Sequence, residues 1–179
     1  MKPIQDIYQK AIRFAGEKHS NQKIKGSSAN YLLHLSCVAM EVIIAHEKQP
    51  SFDLEKAVQI ALLHDTLEDT QTTEEELNQT FGAEITKSVK ALSKDNNIEY
   101  EHQITDSLKR INQSNIDSAV VKLADRITNL QKPREKWNNN QRKDYLEASK
   151  EIADALQNKH EALHRRLTQK IAEYKQYIS

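Results

Sequence analysis

Three glycines and three prolines in 179 residues leave this chain few places to turn sharply. β-Hairpins lean on Gly, Pro and Asn-Gly pairs at their turns. Their scarcity favours helices joined by short polar loops, and the apolar residues agree. Residues 5–19 carry Ile7, Ala11, Ile12, Phe14 and Ala15 at helical spacing. Residues 20–30 are polar and basic, with Gly26, Ser27 and Ser28, and read as a loop. Helices are expected over 31–46 and, from an N-cap at Asp53, over 54–68. The second of these is apolar on most faces, which marks a central helix. Thr72 followed by Glu75 has capping-box spacing and starts a short helix that Phe81-Gly82 breaks. Helices over 83–92, 98–111, 118–130, 141–157 and 159–177, with a loop at 95–97, complete an all-α chain. No internal repeat or low-complexity linker divides it, so residues 1–179 read as one domain.

Charge narrows the partners. The 26 Lys+Arg balance the 26 Asp+Glu, with no basic stripe, which argues against binding DNA or RNA. A pocket for a small anion needs only a few cations and stays open. Cys37 is the only cysteine, so no intrachain disulfide forms, which fits a reducing compartment. The first ten residues lack a signal-peptide apolar core, and no apolar run nears the ~20 residues of a membrane helix. The expectation is a soluble, cytoplasmic protein with no membrane partner.

The informative residues break the apolar pattern. His64 and Asp65 follow Ala61-Leu62-Leu63 in the most apolar helix. Asp125 sits in Val120-Val121-Lys122-Leu123-Ala124-Asp125-Arg126-Ile127, and His34 in Tyr31-Leu32-Leu33-His34-Leu35. Each alone reads as a satisfied core histidine or as an aspartate paired with Lys122 or Arg126. Burying a carboxylate without a partner costs several kcal/mol at least. One divalent metal would satisfy all four groups at once. Mixed His/Asp ligation suits Mn, Fe, Ni, Co or Zn better than Ca or Mg. Glu68 and Asp69 lie four residues after His64 and Asp65, on one face if the helix continues. Such acids orient or deprotonate a water, or serve the leaving group. Asn129, four after Asp125, reaches the same region.

The ordered set His34, His64-Asp65, Glu68-Asp69 and Asp125 resembles the HD superfamily. Phe14-Ala15 with Lys18-His19, Ala61–Thr70, Phe81-Gly82 and Val121–Leu130 resemble the hydrolase domain of the RelA/SpoT family, over about residues 5–150. The length is similar to the small stand-alone alarmone hydrolases, including the animal SpoT-homologue type. The resemblance implies an HD-domain helical bundle of roughly ten helices and one HD phosphohydrolase domain over 1–179. It implies a single Mn²⁺, or another transition metal, on His34, His64, Asp65 and Asp125. It gives Glu68 and Asp69 the activation of water, and Asn129, Lys23, Lys25 and Tyr145 the nucleotide. The implied reaction removes pyrophosphate from the 3′ position of ppGpp or pppGpp. The chain departs from the family at Lys23-Ile24-Lys25, Asn30-Tyr31 and Leu35. Arg stacks on a base better than Lys does, so the base is left open. The alternatives are hydrolysis of ppApp, an NADPH phosphatase or nucleotidase, and a nucleotide-binding module with vestigial activity. Monomer and homodimer are both compatible with the sequence.

Overall fold

The structure is a computed structural model that describes residues 3–95 and 97–179. Asn96, within the loop expected at 95–97, lies outside the described residues. The described residues form α1 (Ile4–Lys18), α2 (Leu32–Lys48), α3 (Leu54–Leu63), α4 (Thr66–Asp69) and α5 (Glu74–Phe81). There follow α6 (Ala83–Leu92), α7 (Gln103–Asn112), α8 (Ile116–Asn129), α9 (Asn139–Ala155) and α10 (Glu161–Tyr174). Short 3₁₀ turns precede α7 and follow α10. Among the described residues the only β-type pairing is an isolated bridge between Lys23 and Asn30. None of their helices is long and apolar enough to cross a membrane. The all-α expectation holds.

Side chains set the helix ends. Asp53 accepts from Lys56 N–H and caps α3, as its place in the sequence suggests. Asn138 and Gln141 form a reciprocal capping box that starts α9. The cap of α5 is Thr73, which accepts from Glu76 N–H, and not Thr72 with Glu75. The Thr72 hydroxyl is engaged by Thr70 at 2.7 Å. Gly82 then turns the chain from α5 into α6 with φ +88°, a value L side chains rarely adopt.

The expected helix over 54–68 is in fact two. It stops at Leu63 and resumes at Thr66, with Asp65 at φ −99° and ψ 0°. The cause is competition for carbonyls. His64 Nδ1 lies 2.8 Å from Ala61 O, and Thr66 Oγ1 donates to Leu63 O at 2.7 Å. These are carbonyls a continuing helix would use.

The core centres on α3. Its Ala57, Val58, Ile60, Ala61, Leu62 and Leu63 are fully buried, as befits a helix apolar on most faces. α2, α1 and α8 pack against it, and α10 covers α8. This packing brings His34, His64, Asp65 and Asp125 toward one another.

Candidate metal centre and nucleotide cavity

The three central helices bring the four expected ligands together. His34 comes from the first turn of α2, Asp125 from α8, and His64-Asp65 from the break after α3. His34 Nε2 lies 3.3 Å from Asp125 Oδ1 and 3.7 Å from Asp65 Oδ2. His64 Nε2 lies 2.9 Å from Asp65 Oδ2 and 3.7 Å from Asp125 Oδ1. Donors on one transition-metal ion, each ~2.0–2.2 Å from it, stand about 3 Å or slightly more apart. His34, His64 and Asp125 each offer an atom within 4.8 Å of the others, and Asp65 joins through His64.

The donor chemistry also fits an ion. Both histidines are buried, and both Nε2 atoms lack a hydrogen-bond partner. His64 Nδ1 faces the Ala61 carbonyl, so Nδ1 carries a hydrogen and Nε2 is the ring atom turned toward the carboxylates, the one that would offer its lone pair to an ion. Tyr31 donates to Asp65 Oδ2 at 2.6 Å, and Asn129 Nδ2 donates to Asp125 Oδ1 at 2.5 Å. Each carboxylate is therefore oriented from outside the cluster.

The electrostatics show how tightly these groups are coupled. Burial works against the His64 cation, but Asp65 and Asp125 outweigh it and raise its pKa well above the ordinary value. Burial likewise works against the Asp65 carboxylate, yet His64 pulls it down to about 2. Asp125 is held well below the carboxylate range against the same burial, through His34 and His64. Burial and the Asp65 charge push the Tyr31 hydroxyl up, which keeps it a donor. Burial lowers Lys122, whose Nζ lies 3.9 Å from Asp125 Oδ2.

The two acids after Asp65 part company. Asp69 lines a cavity of about 570 Å³ that reaches His34 and Asn129, and its Oδ2 accepts from Gln22 Nε2 at 2.8 Å. Glu68 is not on that wall. Its carboxylate accepts from the N–H and the Nζ of Lys94, at 3.0 and 2.8 Å. The expected substrate residues divide similarly. Lys25, Asn129 and Tyr145 line the cavity, whereas Lys23 is exposed and off it, with its backbone bridged to Asn30.

The cavity has residues that the sequence reading passed over. Lys132, Arg134 and Trp137, in the loop between α8 and α9, form one side. Leu33, Cys37 and Met40, along one face of α2, form another. The Arg134 guanidinium sits 5.2 Å from the Trp137 ring, and that ring is 5.0 Å from Tyr145. The signal for Trp137 was there: a lone tryptophan in a polar loop has no core to fill. Tyr31 was legible as the residue one turn before His34. Lys94 and Gln22 left no local signal, since only the fold sets them beside Glu68 and Asp69.

Comparison with known proteins places this arrangement. The HD domain family matches residues 11–162. The guanosine-3′,5′-bis(diphosphate) 3′-pyrophosphohydrolase MESH1 of Danio rerio is 32% identical over 163 residues, covering 88% of each chain. A guanosine-3′,5′-bis(diphosphate) 3′-pyrophosphohydrolase of Aquifex aeolicus is 34% identical over 125 residues, 68% of this chain. This chain spans only 17% of that longer protein. A solved structure described as a metazoan ortholog of SpoT that hydrolyzes ppGpp superposes with a TM-score of 0.82. The match covers 97% of both chains at 22% identity, a likeness of fold.

Proposed function

The chain belongs to the HD domain family, and on that premise we propose that it hydrolyses guanosine 3′,5′-bis(diphosphate) to pyrophosphate and the nucleoside 5′-diphosphate. The observation that carries this reading is the continuity of the cavity. The same cavity is lined by His34, Asp69 and Asn129, by Lys25, Lys132 and Arg134, suited to phosphates, and by Tyr145 and Trp137, suited to a base. Its size is that of a small-molecule pocket.

His34, His64, Asp65 and Asp125 would hold one divalent ion, which we take to be Mn²⁺. When bound, such an ion supplies positive charge that acidifies water and polarises a phosphoryl oxygen. Asp69 orients the attacking water and accepts its proton. Glu68, which Lys94 holds off the cavity wall, would support the same water or the leaving group only after that pairing opens. Water adds to the phosphorus attached to the sugar 3′ oxygen, the bond from phosphorus to that oxygen breaks, and a proton completes the 3′ hydroxyl. Asn129 keeps Asp125 in place and shapes the sugar end of the cavity. Lys25 holds phosphate charge, and Tyr145 faces the base. Lys23, on the exposed edge of the same loop, adds longer-range attraction for the polyphosphate.

We read residues 1–179 as one HD unit. α10 runs beyond the matched residues, and its Arg166 and Tyr174 line the cavity. The single cysteine supports a cytoplasmic setting.

The Lys23-Ile24-Lys25 loop favours one second reading, a different base or a different phosphorylated nucleotide. A product assay with Mn²⁺ separates the two. We expect pyrophosphate from ppGpp at a rate above ppApp, NADPH and simple nucleotides. Faster pyrophosphate release from ppApp would reassign the base. Orthophosphate from NADPH or a mononucleotide, with none of the pyrophosphate reaction, would replace this proposal.

A further inference from the structure

His19 is buried at the C-terminal cap of α1 and takes no part in the ligand cluster. Its Nδ1 lies 2.6 Å from Gln22 Oε1, while Gln22 Nε2 donates to Asp69 Oδ2 at 2.8 Å. The direction of both bonds follows from the groups themselves. A carboxylate only accepts, so the Gln22 amide turns its nitrogen to Asp69. Its oxygen then faces His19, and an oxygen there needs a hydrogen on Nδ1. The line runs one way, from His19 through Gln22 to Asp69.

The ring bears a cost for this. His19 Nε2 is buried with no hydrogen-bond partner among the described residues. Leaving a buried polar atom unpaired forfeits the hydration it had in the unfolded chain and gains nothing in return. A leucine would fill the space without that cost, so packing alone does not account for a histidine here. The ring also packs against Tyr31 at a tilt of 32°, with centroids 5.0 Å apart, and Tyr31 in turn donates to Asp65. The end of α1 thus braces two carboxylates of the site, one through Gln22 and one through Tyr31.

We propose that His19 and Gln22 are positioning residues that fix the Asp69 carboxylate, tying down Oδ2 and leaving Oδ1 as its free acceptor. Neither touches the reacting atoms in this role. A carboxylate that must take a proton from water works only in a narrow range of orientation. The relay supplies that orientation before substrate arrives. The inference rests on the reading of Asp69 as the acid that activates water, and the test separates the two.

The experiment measures kcat and KM for ppGpp with Mn²⁺ in the full chain carrying Gln22→Leu, His19→Gln, His19→Asn, Asp69→Asn, and Gln22→Leu combined with Asp69→Asn. An asparagine at 19 places its amide nitrogen where Nδ1 stood, whereas a glutamine carries it one bond too far. Gln22→Leu and His19→Gln are expected to lower kcat about 10–100-fold with little change in KM or in Mn²⁺ affinity. His19→Asn recovers most of that loss. Gln22→Leu costs nothing further once Asp69 is already Asn. Gln22 is only half-buried, so its variant keeps the test sound even if substitution at buried His19 impairs folding. Loss of activity in Asp69→Asn with full activity in Gln22→Leu overturns the relay alone. A rise in KM alone, or a full additional loss in the double variant, overturns it as well. Full activity in Asp69→Asn overturns the catalytic reading of Asp69 and the relay with it.

Discussion

His64 shows how much one residue settles in this protein. Its Nδ1 is held by the Ala61 carbonyl, and its Nε2 meets the carboxylates of Asp65 and Asp125. Removing it as His64→Ala takes away a proposed ligand and leaves buried carboxylates short of a partner. We expect loss of both metal binding and turnover, read by isothermal titration with Mn²⁺ and by initial rates; Asp125→Ala should behave alike. Glu68→Gln and Asp69→Asn should keep the ion and lower kcat by about 10²–10⁴-fold, the range for a general acid or base. Two acid variants that stay fully active would remove both assignments. The proposed ligands stood out in the sequence because a charge in an apolar run needs a reason. The residues that orient them were legible only by spacing, Tyr31 one turn before His34 and Asn129 one turn after Asp125, and Lys94 not at all, because it becomes Glu68's partner only across 26 residues of chain.

At the scale of helices, the ends matter more than the middles. Periodicity located the helices, yet it ran through the break at His64-Asp65, because apolar spacing carries no record of carbonyls taken by side chains. Inside α3, Leu62 is fully buried, so Leu62→Ala should destabilise the chain by about 2–5 kcal/mol in urea or guanidinium unfolding. A change under 1 kcal/mol would mean that α3 is not the centre of the core. The cap of α10 is His160, whose Nδ1 accepts from Leu163 N–H while Nε2 faces Gln49 O. Only the neutral ring does both. Burial, with a smaller effect from His46, lowers its pKa below the usual 6.5. A lowered histidine contributes stability that is present above its unfolded value and is lost as pH falls through the folded one. With the metal site kept saturated, Tm should fall between pH 7 and pH 5 more steeply in the parent than in His160→Asn, which caps without titrating. Equal slopes would show that the cap does not sense pH.

Taken as a whole molecule, the chain buries a His/Asp cluster beneath a cavity whose other walls come from the α8–α9 loop and from α10. The bundle was legible from few turn residues and strong helical patterning. The cavity was only partly so, because Trp137, Arg134 and Arg166 come from a loop and a helix that meet only in the folded chain. Its α2 wall was no easier to read, since Leu33 and Met40 look like core residues and yet are exposed to the cavity. The central claim is that one ion in this cluster drives release of the 3′-pyrophosphate. The most direct measurement strips the protein of metal, titrates Mn²⁺ back, and follows pyrophosphate release from ppGpp at each step. The account predicts no turnover without metal, a rise that saturates at one ion per chain, and pyrophosphate as the phosphate product. Full turnover in the stripped protein, or orthophosphate in place of pyrophosphate, would contradict it.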